Sequence, residues 1–367
     1  MRFSPILSVY VGRHFLVACL TVLAFLMGLI LLFDVIELLR RAAARPDATI
    51  SQILGMGLLK LPQMMHLVLP FAVMVGGMVA FWRLTRSHEL VVARAAGVSV
   101  WQVLTPALGI VLLLGVVEVT AFNPLAAALY ARYETMQDDL LLRHSNPLTV
   151  SQNGLWLREV QDGRVTVVHA GQVAQEKAEL RLRDVSVFVF DEQERFEHRI
   201  EAAAARLDDG HFDLERAWVM RPGKASDYVM DYRLPTTLTL ARIQDNFASP
   251  ETMSFWELPR FIRFFESAGF SAHRQKLYFQ SLLAFPLLLC SMVLIAAIFS
   301  LRPNLRGGGV LFRLVGGVAA GFLFYFFSKL VYAMGLSATL PLALAAWSPP
   351  VVTSLVGLAS LFHLEDG

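Results

Sequence analysis

Outside one charged middle segment, the charges of this sequence fall in a few clusters set among long apolar stretches. In Arg83-Leu84-Thr85-Arg86-Ser87-His88-Glu89-Leu90-Val91-Val92-Ala93-Arg94-Ala95-Ala96-Gly97, charged and apolar residues alternate at helical spacing. Ser87 is placed to cap a short helix and Gly97 to stop it. Such a helix either lies on lipid or fits a groove on a partner, with Glu89 as its polar anchor. A second cluster, Arg40, Arg41 and Arg45, is opposed only by Glu37 and Asp47. Guanidinium forks bind phosphate bidentately and stay charged, so the cluster suits an anionic group. Snorkelling to lipid headgroups is the competing reading. Glu118 and Lys329 are isolated charges beside apolar runs. They pair with each other, or Lys329 meets a lipid phosphate or snorkels.

No set of residues forms a catalytic group. The phosphate-cradling pattern G-x-x-x-x-G-K-[ST] is missing, and Gly307-Gly308-Gly309 lacks the lysine and hydroxyl that such a loop needs. His14 and His66 stand alone, while His169, His198 and His211 are scattered through strand-like segments. Cys19 and Cys290 fall in apolar runs, where thiols pack as small hydrophobes. Neither a disulfide framework nor a metal site is expected. The net charge of +2 says little, because the location of charge matters more than its sum.

The elements that must position these residues are apolar helices. Residues 14–33, 61–82, 95–117, 277–301, 314–328 and 330–364 contain no Asp, Glu, Lys or Arg. Most are long enough for a hydrocarbon core that needs about 20 helical residues. The run 314–328 spans only if its helix continues past Lys329 to Gly335. A composition of 56% hydrophobic and 17% charged residues is too apolar for one ordinary globular core. Arg40 and Arg41 separate the first run from Ala42-Ala43-Ala44, so it reads as a retained span rather than a cleaved signal peptide. A cytoplasmic N-terminus puts Arg2, Arg13, Arg83, Arg86, Arg94, Arg302, Arg306 and Arg313 inside, as the positive-inside rule asks.

Between the third and fourth runs the pattern changes to strands, at 148–157, 164–169, 179–190, 196–207, 212–221 and 228–240. Turn dipeptides Asn153-Gly154, Asp162-Gly163, Asp209-Gly210 and Pro222-Gly223 punctuate them. The division is therefore residues 1–125, a β insert at 126–252, and residues 253–367. Several short antiparallel strands imply a sandwich or jelly roll. Val185, Val187 and Val189 interleave with Phe188 and Phe190, which fits burial in a sandwich or a lipid-lined groove. Ser254 and Glu257 form a capping-box pattern opening an aromatic and Arg-rich helix suited to the headgroup layer. Pro62 and Pro70 should kink or break the second span. Gly317 and Gly321 have the spacing that lets two helix backbones approach, within the chain or with a second subunit.

The stretch RLTRSHELVVARAAGVS, with Leu61-Pro62 and Leu69-Pro70-Phe71 before it and Ser267-Ala268-Gly269-Phe270 leading into the fourth run, resembles the LptF/LptG family of lipopolysaccharide export permeases. The resemblance covers essentially the whole chain. It implies a polytopic α-helical membrane protein with six transmembrane helices, three before and three after an inserted periplasmic β-jelly-roll domain. The implied role is that of a permease subunit, not an enzyme, in an ABC transporter. Such a transporter extracts lipopolysaccharide from the Gram-negative inner membrane and passes it to a periplasmic jelly-roll bridge toward the outer membrane. The implied partners are an LptF-like permease half, an LptB-like ATPase dimer, LptC-like and LptA-like jelly-roll proteins, lipopolysaccharide and membrane lipids, with no nucleic acid. ATP and Mg would belong to the ATPase, leaving no cofactor in this chain.

By position in the motif, residues 87–97 correspond to the family's coupling helix, so Arg86, Ser87, Glu89, Leu90, Arg94 and Gly97 would meet the ATPase. Arg40 and Arg41 would meet lipid phosphates, the chain having arginines where relatives often have lysines; Lys329 joins them as a lipid-binding candidate from its isolated charge alone. The family's first and fifth spans form the subunit interface, which gives Gly317 and Gly321 a second reason to be small. A membrane-anchored envelope scaffold or sensor, whose β domain binds an envelope component, is the alternative.

Overall fold

The computed structural model describes residues 5–365 apart from 43–48, 88, 96, 138–139, 141–147, 152–153, 162–163, 177–178, 192, 194, 209, 240–248, 268–270 and 302–308. Arg45, Asp47, Arg302, Arg306, Gly307, Gly308 and the 268–270 part of the family-like motif therefore lie outside the described residues. The chain forms two compact units. One comprises Met1–Leu141, Glu251–Leu258 and His273–Gly367, and the other Leu142–Pro250 and Pro259–Ala272.

In the helical unit, α1 is Pro5–Ala42, α2 Ile50–Arg86, α3 Glu89–Ala95 and α4 Val100–Val117. A π-helical turn, Glu118–Phe122, joins α4 to α5, Asn123–Gln137. After the insert comes α6, Leu258–Ser267, which from Pro259 on belongs to the sheet unit; back in the helical unit, α7 is His273–Ser300, α8 Gly309–Leu336 and α9 Leu342–Glu365. Six of the helical rods are long and apolar enough to cross a membrane. Two sequence expectations change. The boundary placed at 125/126 falls inside a helix, because the third rod continues to Gln137 and the first strand begins only at Leu148. Of the kink or break expected at Pro62 and Pro70, the break does not occur, since α2 is one continuous helix through both. The run 314–328 does continue past Lys329, ending at Leu336.

Apolar burial does not draw helices together in lipid, so close packing and polar pins must. Gly76 of α2 is the tightest point against α1: a Cβ there would lie 2.6 Å from Cys19 Cα. Gly115 of α4 approaches α7 similarly, with 2.7 Å from such a Cβ to Pro286 Cα. Asp34 of α1 forms an ion pair with Lys60 of α2. The Lys60 ammonium also sits 5.5 Å from the centre of the Tyr133 ring on α5. Thr85 Oγ1 at the end of α2 donates to Ser300 O at the end of α7 over 3.1 Å. Ser254 and Glu257 make the expected capping box, with Glu257 N donating to Ser254 Oγ and Ser254 N to Glu257 Oε2.

The other unit holds a seven-stranded antiparallel sheet in which each strand pairs with its sequence neighbour. The strands are β1 Leu148–Ser151, β2 Gly154–Gln161, β3 Arg164–Glu176, β4 Glu179–Phe190, β5 Phe196–Asp208, β6 His211–Met220 and β7 Asp227–Pro235. The segment 148–157, expected as one strand, is a hairpin, β1 pairing Leu148 with Leu157. Gly210 and Gly223 take φ of 82° and 73°, as their turns require; Asn153, Asp162, Gly163 and Asp209 lie outside the described residues. The sheet curls on itself. Glu159 of β2 accepts from Thr236 Oγ1 and from Thr237 N and Oγ1, each over 2.6 Å, just beyond β7. Inside the curl, Val187, Ile200 and Ala217 are fully buried. Val185, Val187 and Val189 point into this core, while Phe188 and Phe190 are half-buried on the opposite face. Arg199 covers Phe188, its guanidinium 5.1 Å from the ring centre.

A crease crosses the sheet. The ladder skips the Gly171/Asp184, Asp184/Ala203, Ala203/Arg216 and Arg216/Met230 pairs, although register is kept on either side. Asp184 and Arg216 have φ of 52° and 56°. Burial changes phase along the same line: on β4 Leu180 and Leu182 are buried, then Val185, Val187 and Val189. A one-residue slip in inside/outside alternation thus keeps apolar side chains inward on both sides of the crease.

Candidate functional site

A cavity of about 380 Å³ opens in the helical unit, walled by α2, α5, α7, α8 and α9 together with Glu251. Its lining is mainly apolar, including Phe71, Phe285, Leu288 and Met292, with Gln63, His66, Tyr278, Ser281 and Lys329 as polar members. α2 reaches this wall with Pro70 also facing the cavity. A proline removes one helical N–H, leaving a carbonyl one turn back without its usual donor.

Lys329 lines this cavity, and its ammonium lies 5.6 Å from the centre of the Tyr325 ring one turn earlier on α8. It does not pair with Glu118. Glu118, only 3% exposed, takes His66 instead, with Nδ1 2.7 Å from Oε1. His66 also stacks on Phe285, ring centres 4.1 Å apart. The expectation that His66 stands alone is therefore overturned. The π-helical turn beginning at Glu118 resets the direction of the third rod at that residue and aims the carboxylate at α2.

Sequence reasoning missed Gln63 and His66, whose partners are remote. The available signal was two polar residues one turn apart within an apolar run, which normally face a bundle interior or cavity. Asn123 was missed too: its side chain donates to Tyr278 Oη over 3.5 Å and accepts from Phe255 N over 2.8 Å, pinning the end of the π turn.

The other expected residues are placed as follows. Arg40 and Arg41 project from the last turn of α1 and are exposed. Both grip Glu37, Arg40 through Nε at 2.8 Å and Nη2 at 2.9 Å and Arg41 through Nε at 2.8 Å. They are not among the cavity-lining residues, so the structure does not bring them together with Lys329 there. Gly317 and Gly321 face α2 of the same chain: a Cβ at either would come within 2.3 Å of Met78 Cε or Met74 Cε. Their small size thus already serves a contact within the chain.

The short amphipathic helix is α3, Glu89–Ala95, starting two residues after Ser87 and ending two before Gly97. Ser87 caps the end of α2 rather than the start of α3, with its hydroxyl donating to Arg83 O over 3.0 Å. Gly97 stops α3 with φ of 87°, and Val98 N donates back to Ala93 O over 3.0 Å, the bond pattern of a left-handed glycine cap. Arg86 covers the Trp82 ring at 5.1 Å. Glu89 opens α3 and is exposed. Leu90 and Arg94 belong to α3, but their side chains lie outside the described residues. In the sheet, ligand-type atoms of Asp208, His211 and Asp213 lie within 4.8 Å of one another. Asp213 already meets Arg206 at 3.7 Å and Arg233 at 3.4 Å, cations that disfavour a metal ion.

The sequence profile of the family described as lipopolysaccharide export system permease LptF/LptG matches residues 9–363. The chain belongs to this family. Among its LptF/LptG relatives, the lipopolysaccharide export system permease protein LptG of Escherichia coli (strain K12) is 26% identical over 98% of this chain and 96% of its own length. The LptG protein of Haemophilus influenzae (strain Rd) is 23% identical over 88% of each chain. The six apolar rods and the inserted antiparallel sheet are thus the architecture of an LptF/LptG permease, and the chain is a multi-pass lipopolysaccharide export permease.

Proposed function

We propose that this permease is one half of an ABC-type transporter in the Gram-negative inner membrane, whose cavity admits lipopolysaccharide from the membrane. The observation that carries the reading is Lys329 on the wall of an otherwise largely apolar cavity, a setting suited to an acylated anion. Arg40 and Arg41 act as an outer phosphate-binding pair once released from Glu37, or while sharing it. The exposed Glu89 end of α3 docks in an LptB-like ATPase dimer, which holds ATP and Mg, since this chain has no nucleotide-binding motif. ATP-driven closure of that dimer pushes on α3 and shrinks the cavity. The β unit lies in the periplasm and hands the lipid to LptC-like and LptA-like jelly rolls by strand addition. An LptF-like chain completes the permease against α1 and α8, whose apolar windows are only 11% and 17% buried within this chain.

The test is purification of the chain from its native membrane, with identification of bound lipid and associated subunits by mass spectrometry. Lipopolysaccharide and a nucleotide-binding subunit are expected. Ordinary phospholipid alone, with no nucleotide-binding subunit, would replace this reading with an envelope scaffold. Changing Arg40 and Arg41 together to Glu should reduce lipid extraction with assembly intact; unaltered extraction removes them from the lipid site.

A further inference from the structure

Hydrogen-bond donors and acceptors are unequally satisfied on the cavity wall. Gln63, 8% exposed, faces the cavity, and its Oε1 has no hydrogen-bond partner among the described residues. Tyr278, whose hydroxyl accepts from Asn123, lines the same wall. One turn along α2, His66 faces the same space, and the carboxylate behind it, Glu118, has Oε2 equally unpartnered. Both orphan atoms are acceptors. A buried acceptor with nothing donating to it is costly, so it marks where a donor arrives.

Resting on the reading that the cavity takes lipopolysaccharide, we propose that Gln63, backed by the His66–Glu118 pair, forms an acceptor subsite for hydroxyl or amide N–H donors of the lipid's sugar headgroup. Lys329 answers the anion and Gln63 the sugar, so the wall recognises a phosphorylated amino-sugar as one object. A phosphodiester lipid whose headgroup has no N–H or O–H satisfies only Lys329. The subsite therefore separates glycolipid from bulk anionic lipid, which charge alone cannot do. The His66 ring is held by Glu118 through Nδ1 and by its stack on Phe285, and among the described residues Nε2 has no hydrogen-bond partner.

The full chain, purified with its membrane partners in nanodiscs, is titrated with two probes: a bisphosphorylated acylated glucosamine disaccharide and dioleoyl phosphatidylmethanol, an anionic lipid without headgroup donors. Gln63→Met keeps the side-chain volume and removes the acceptor. It should weaken disaccharide binding about fivefold, the worth of one neutral hydrogen bond, and leave phosphatidylmethanol unchanged, which also certifies the fold. Lys329→Gln should weaken both probes. Equal loss of both probes in Gln63→Met, or no loss of either, overturns the subsite while the parent reading stands. Absence of disaccharide binding in the unaltered protein overturns the parent reading and the subsite together.

Discussion

Ile200 on β5 and Phe322 on α8 are both large apolar side chains, yet the first is fully buried and the second 61% exposed. The difference is the solvent each unit is built for. In the sheet, alternation of apolar and polar residues reports directly which face is inside, because water penalises the exposed apolar face. In the helices, apolar residues point both ways, and hydrophobicity carries no information about packing. The α1 and α7 windows are similarly apolar, but 11% of the first and 61% of the second are buried. What marks contact in the helical unit is size and polarity: Gly76, Gly115, Gly317, the Asp34–Lys60 pair and the His66–Glu118 pair.

Four measurements break or sharpen this contrast. Ile200→Ala should cost the sheet unit about 2–5 kcal/mol, as large-to-small changes in a close-packed core do, read as a lowered denaturant midpoint for the sheet. Gly76→Val should cost the helical unit about 3 kcal/mol, because its Cβ meets the Cys19 backbone, which cannot swing aside. A thermal shift of purified protein within a degree of the parent would show that α1 and α2 do not need this approach.

The third concerns pH. Burial pushes the His198 imidazole on β5 below its ordinary 6.5, with the Glu197 carboxylate acting in the opposite direction. The unfolded chain then binds the proton more readily than the folded sheet. Stability is complete above about pH 6.5 and falls as the pH drops from there toward the folded value. His198→Gln should flatten that slope in sheet unfolding measured from pH 7.5 to 5.5. The smallest effect is expected of Phe322→Ala, which should change the stability of the isolated chain in detergent by less than about 0.5 kcal/mol. A large loss there would mean that α8 is packed within the chain on the face now exposed.

Much of the fold was legible because hydropathy reports membrane-length runs well. The helix through Lys329 was readable since one charge does not end a helix whose flanks remain apolar. The end of the third rod was not: Asn123–Gln137 carries Arg132 and Glu134, and a drop in hydropathy marks where the apolar run stops, not where the helix stops. Ser87 suits the start of the helix after it by residue type, but a hydroxyl can as easily return to the turn before it, as it does here. The His66–Glu118 pair joins residues 52 apart and depends on a π turn that leaves no periodic signature. The split of 148–157 into a hairpin was announced by Asn153-Gly154, and the phase slip on β4 is visible in Leu180, Leu182, Val185, Val187 and Val189 once the skipped position is sought.

The crease also limits what the free margin of the sheet accepts. β7 carries the slip at Met230, so any guest strand laid along it, from another protein or a second copy, must include its own extra residue opposite that point. A guest with perfect two-residue rhythm would match one half of the margin and show its greasy side to water along the other. Compatibility at this seam is therefore a matter of counting, and deleting one residue from a matching guest should be as damaging as replacing its side chains.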